Sequence, residues 1–88
     1  MDIENIKKRI KDYISDLTGI DAHTISDSDK LIGDLGVDSI VIVQLFVSCQ
    51  EDFGIEASDE FDLSADLSID EVAEMVFEKI KEKETKKE

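Results

Sequence analysis

The 88-residue chain holds one histidine, His23, and one cysteine, Cys49. From single copies neither a zinc-ligand set nor a nucleophile paired with a base can be assembled. His23 stands between Asp21-Ala22 and Thr24, in the composition of a solvated loop. Cys49 lies four residues after Leu45 and four before Phe53, the spacing of one helical face, so it reads as a small buried hydrophobe. Asp27-Ser28-Asp29 begins like a calcium loop, but Leu31 stands where a third oxygen ligand belongs and Gly33 comes one position late. What remains is Ser39. In Leu35-Gly36-Val37-Asp38-Ser39-Ile40 a serine follows a glycine-containing loop and an aspartate, then opens an apolar run. A helix starting there presents unpaired N–H groups and a partial positive charge, which suit a phosphate esterified at that hydroxyl.

The elements around Ser39 follow from hydrophobic spacing. Ile3, Ile6, Ile10, Tyr13, Ile14 and Leu17 recur at three- and four-residue steps, which predicts a helix over 3–18 capped by Asp2 and stopped by Gly19. Residues 19–38 lose that period and keep only the scattered anchors Ile25, Leu31, Ile32, Leu35 and Val37. A connection of that length is usually functional, and the anchors predict a loop held across the core. Ile40 to Val43 has strand propensity, but Phe46, Cys49, Gln50 and Phe53 extend the pattern at helical spacing. The expected element is a helix over 39–53, opened by Asp38 or Ser39 and closed by Gly54. A short turn or helix is expected within 59–64, around Phe61 and Leu63. Ser68 and Glu71 form a capping box, with Leu67 and Val72 placed as its hydrophobic staple. The helix it starts buries Ile69, Val72, Ala73, Val76, Phe77 and Ile80. The expected fold is all-α: a small antiparallel four-helix bundle, three helices long and one short, with a long first loop. It occupies 1–81, and the purely polar 82–88 is expected to fray.

Composition bounds the function. A chain this short buries roughly 60–65% of its surface on folding, enough for one core, and 41% hydrophobic residues can supply it. A lone cysteine leaves no internal disulfide and no need for an oxidising compartment. No basic-then-apolar leader occurs, and no apolar run nears the roughly 18 residues of a membrane span. The expectation is a soluble, cytoplasmic monomer without membrane insertion. Twenty-three acids against ten bases give −13, which disfavours nucleic acid and anionic membranes and favours basic partners. The excess is local. Residues 27–78 hold fifteen acids and one base, Lys30, a net of −14, whereas 1–18 is neutral with four of each sign.

Leu31, Gly33, then Asp34-Leu35-Gly36-Val37-Asp38-Ser39-Ile40, Gln44-Leu45 and Glu51-Asp52-Phe53-Gly54-Ile55 together resemble the acyl carrier protein family. Its signature is an L-G-x-D-S-[LI] junction, then a helix ending in an acidic-acidic-Phe pattern. The likeness covers about residues 3–80. It implies that Ser39 carries 4′-phosphopantetheine, installed from coenzyme A by a holo-carrier synthase or another phosphopantetheinyl transferase. The arm would hold an acyl group as a thioester, for fatty acid or specialised acyl or polyketide synthesis. Asp38 would present Ser39 to the synthase. Leu45, Cys49, Phe53, Val72 and Val76 would bound the interior that shelters an acyl chain. The chain itself would be no enzyme but the substrate of acyl-transfer and chain-modifying enzymes with basic docking patches, and no metal is implied.

One departure from the family pattern bears on partners. Typical fatty-acid carriers have acids two and five residues after the serine, where this chain has Val41 and Gln44. Val47 follows three residues on, so the three form one ridge below the serine, with Glu51 beyond. The expectation is a partly apolar docking strip, edged by Asp38 and Glu51. Two other readings stay open: a D-alanyl or other aminoacyl carrier, and an unmodified acidic interaction module in which Ser39 only caps a helix.

Overall fold

The structure is a computed structural model that describes residues 2–56 and 65–85. Helix α1 spans Ile3–Thr18, α2 spans Ser39–Phe53 and α3 spans Ile69–Thr85, with one 3-10 turn at Ala22–Thr24. The first two helices begin and end where the sequence predicts. The short element expected within 59–64 lies outside the described residues. Among those described no strand forms; Lys30 and Ser68 meet in an isolated antiparallel bridge. The architecture is the expected all-α bundle.

Each helix end has a local chemical reason. Asp2 accepts the Asn5 N–H at 2.9 Å at the start of α1, and Gly19, left-handed at φ 84°, donates to the Ser15 carbonyl at 2.8 Å at its end. The predicted capping box is formed at α3: Ser68 N–H donates to Glu71 at 2.8 Å and Glu71 N–H to the Ser68 hydroxyl at 3.2 Å. In α2 the strand-prone run Ile40–Val43 is helical. Ile42, Leu45, Phe46, Cys49 and Phe53 are all buried at helical spacing, and that burial outweighs local propensity.

The core is centred on α1, which packs against both α2 and α3. Ile6, Ile10 and Ile14 are fully buried and meet Leu45, Cys49, Val72 and Val76 in one cluster. Each such aliphatic side chain stabilises the fold by about 1.5–3 kcal/mol. Around this core Lys7 reaches Asp70 at 2.8 Å and Asp27 at 3.3 Å, and Lys11 reaches Asp27 at 2.7 Å. The neutral first helix thus supplies cations to the acidic remainder.

The long first loop is stitched down. Ile25, Leu31 and Val37 are buried beneath it. Leu31 N–H donates to the Leu67 carbonyl at 2.8 Å, Ile69 N–H to Asp29 at 3.0 Å and Asp70 N–H to Asp27 at 2.9 Å. The 3-10 turn interrupts the expected loop; it forms because Asp21 accepts the His23 N–H at 3.0 Å and Thr24 N–H bonds the Asp21 carbonyl. A second difference is that α3 continues through Thr85, past the expected frayed boundary at 82. Lys and Glu are good helix formers, Lys79 pairs with Glu82 at 3.7 Å, and the Lys81 ammonium lies 5.5 Å from the Phe77 ring centre. No helix among the described residues is long and apolar enough to cross a membrane.

Candidate functional site

Ser39 is the first residue of α2 and is exposed. The cap is Asp38, whose extended backbone places its carboxylate 3.0 Å from the Val41 N–H while its carbonyl accepts Ile42 N–H at 3.0 Å. Ser39 therefore has no capping duty, and its hydroxyl is left for chemistry. Gly36 sits at φ 69°, which only glycine adopts without strain, although no atom would touch a side chain there. Val37 is buried, and its N–H bonds the Leu31 carbonyl at 2.9 Å. Two residues later the chain enters α2 with Ser39 exposed.

These residues fit an esterified phosphate. The Ser39 and Ile40 N–H groups fall in the first turn, where a helix supplies no partner and carries partial positive charge. The neighbouring Asp38 carboxylate offsets that field, so a free anion gains little there. A phosphodiester held covalently by the serine does not depend on that gain, and the exposed hydroxyl lets an enzyme place it.

Leu45, Cys49, Phe53, Val72 and Val76 are all buried and joined in one cluster between α1, α2 and α3. Burial pushes the Cys49 thiol up to about 12, with Asp52 adding to the effect, so it is not a nucleophile at neutral pH. His23 is exposed, its Nδ1 3.3 Å from Asp21, and stands apart from Ser39's helix. The acids of the calcium-like stretch are engaged otherwise: Asp27 pairs with Lys7 and Lys11, and Asp29 accepts the Ser26 N–H at 2.9 Å. Among the described residues no three His, Cys, Asp or Glu side chains are grouped to hold a metal.

The ridge below Ser39 differs from the expected one. Gln44, Val47 and Glu51 are exposed, but Val41 is half-buried and packs against the core. The apolar strip instead runs Ile40, Val43, Val47, exposed by 68%, 44% and 44%. The reason is angular. Ile42, Leu45 and Cys49 set the inward face, Val41 stands at its border, and Ile40, Val43 and Val47 project opposite, over about 10 Å of helix. Spacing from Ser39 does not single out Ile40 and Val43; their angle from the buried arc of Leu45, Cys49 and Phe53 does. Helix α2 is therefore apolar on both faces, with one face in the core and the other open to solvent.

Comparison with known proteins agrees with this geometry. The family described as the phosphopantetheine attachment site matches residues 8–76. An acyl carrier protein of Clostridium acetobutylicum is 45% identical over 53 residues, 60% of this chain and 69% of that protein. One of Solidesulfovibrio magneticus is 36% identical over 56 residues, 64% of this chain and 72% of that protein. The solution structure of the apo doublet acyl carrier protein from prodigiosin biosynthesis superposes with a TM-score of 0.72 at 24% identity. That match covers 85% of this chain and 36% of the doublet, and it establishes the likeness of fold.

Proposed function

The chain belongs to the family of phosphopantetheine-bearing acyl carrier proteins, and from that premise we propose that Ser39 is its attachment residue. The carrying observation is the exposed Ser39 at the first turn of α2, capped by Asp38 and lying within the matched region. The prosthetic group supplies a terminal thiol that holds an acyl chain as a thioester. The protein's own part is to present, steer and shelter. Asp38 holds the first turn and places a negative charge beside the serine, which favours a basic transferase surface. The cluster of Leu45, Cys49, Phe53, Val72 and Val76 is the interior toward which an acyl chain would move. In this reading the chain is a carrier acted on by partner enzymes, not a catalyst.

The partner surface is the α2 strip. Ile40, Val43 and Val47 give an apolar centre, and Asp38 and Glu51 an acidic edge, complementary to an apolar cleft rimmed by basic residues. The apolar centre favours a dedicated acyl, polyketide or aminoacyl pathway over general fatty acid synthesis.

Intact mass after incubation with coenzyme A and a broad-specificity phosphopantetheinyl transferase tests the assignment. The wild-type chain should gain one phosphopantetheine and Ser39→Ala none. Because Asp38 is the cap, Ser39→Ala should cost at most about 0.5 kcal/mol. Native alkylation of the loaded chain should spare Cys49. A full mass gain by Ser39→Ala would refute the residue. No gain by the wild type would favour the unmodified interaction module.

A further inference from the structure

The turn that delivers the chain to Ser39 is capped by a residue far along the sequence. Within 30–37, Asp34 and Leu35 N–H groups donate to the Lys30 carbonyl at 3.0 Å, Gly36 N–H to Ile32 at 3.1 Å and Val37 N–H to Leu31 at 2.9 Å. Of the N–H groups that open this turn, that of Lys30 donates to the Asp34 carboxylate at 2.8 Å, while those of Ile32 and Gly33 have no partner inside it. The Asp66 carboxylate supplies both: Oδ1 accepts from Ile32 N–H at 2.8 Å and Oδ2 from Gly33 N–H at 2.9 Å. Asp66 lies just before Leu67, whose carbonyl takes the Leu31 N–H. Two adjacent residues of the α3 approach therefore hold three consecutive amides of the loop.

Gly33 is fitted to this arrangement. A Cβ there would stand 2.8 Å from Asp66 Oδ2, the end of a side chain, so the carboxylate would have to shift and its bonds to the Ile32 and Gly33 amides would be strained. The Lys30 ammonium lies 3.4 Å from the Asp66 carbonyl and offsets part of the repulsion that one more acid adds to a segment of net −14. The turn's far end is Gly36 and Val37, and Ser39 follows two residues later.

We propose that Asp66 is a positioning residue for loading: it clamps the 30–37 turn, and the turn fixes where Ser39 meets the transferase. The proposal rests on Ser39 being the attachment residue. When the clamp is released, the loop samples other arrangements and only part of the population is competent. The apparent KM of the transferase for this carrier then rises in inverse proportion, while kcat is retained.

The test combines amide exchange with loading kinetics on the full chain. In Asp66→Ala, Ile32 and Gly33 amides should exchange faster while those of α1 keep their protection. At a temperature where circular dichroism shows the fold intact, KM for the carrier should rise about fivefold or more, with kcat within about twofold. Gly33→Ala should reproduce the KM effect, and Asp66→Asn, which keeps one acceptor oxygen, should fall between. A KM within about twofold of wild type in both alanine variants would overturn the proposal, as would unchanged exchange at Ile32 and Gly33. Were the wild type itself not loaded, the Ser39 assignment would fall and positioning with it, and amide exchange would still report whether the clamp exists.

Discussion

Asp52, one residue before the end of α2, faces Arg9 of α1, whose Nη1 lies 2.9 and 3.1 Å from its two oxygens. The Tyr13 hydroxyl donates to the same carboxylate. A carboxylate at a helix C-terminus is disfavoured by the macrodipole, and the guanidinium and phenol offset that cost. Burial, with Asp52 beside it, pushes the Tyr13 phenol up to about 12. The arrangement joins α1 to α2 at the end remote from Ser39, beside Cys49 and Phe53.

Asp52→Ala should therefore destabilise more than loss of an unpaired surface acid. With the guanidinium contact gone and Tyr13 left without its acceptor, Tm should fall by about 5 °C. Glu51→Ala, on the exposed strip, should shift it little. Equal effects in thermal melts would show that the contact does not persist in solution.

Asp38 can be separated from its cap. Asp38→Asn keeps an acceptor oxygen for Val41 N–H and should hold stability within about 0.5 kcal/mol, whereas Asp38→Ala should lose about 1 kcal/mol. If its charge presents Ser39 to the transferase, both variants should load slowly. Normal loading by the asparagine variant would confine Asp38 to the fold.

The α2 strip predicts a contrast between neighbours. Val43→Asp and Val47→Asp should leave urea unfolding within about 0.5 kcal/mol and weaken the native downstream partner. Val41→Asp brings a charge against the core edge and should destabilise by about 1–3 kcal/mol. Unchanged partner kinetics in both exposed-site variants would show that specificity is read elsewhere.

Asp27 carries a pH signature. Lys11, then Lys7, hold its carboxyl below the usual carboxylate range. A group depressed on folding adds stability that is complete above its unfolded value, about 3.9, and is lost as pH falls through the lower folded value. Wild type should exceed Asp27→Asn by at most about 1 kcal/mol near neutrality, and the gap should close only below about pH 4. The Lys7 ammonium, raised chiefly by Asp70, keeps its contribution through the neutral range and loses it only at strongly alkaline pH. A constant gap between pH 7 and 3 would exclude the pairing.

Much of the molecule was decided by local sequence. Asp2, Gly19, Asp38, Gly54 and the Ser68–Glu71 box set helix ends through contacts within four residues, and isoleucines at helical steps set the buried face of α1. The helix start at Ser39 was legible for the same reason, since its cap is made by Asp38 and Val41, within three residues. Contacts between distant segments left no such trace. No spacing rule links Asp66 to Ile32 and Gly33, Arg9 to Asp52, or Lys7 to Asp70, because each joins elements that only packing brings together. Nor could the run Ile40–Val43 declare which of its apolar residues face water. Neighbouring valines and isoleucines look alike in sequence, and their angle to the core is fixed only when α1 and α3 close over Ile42, Leu45 and Cys49.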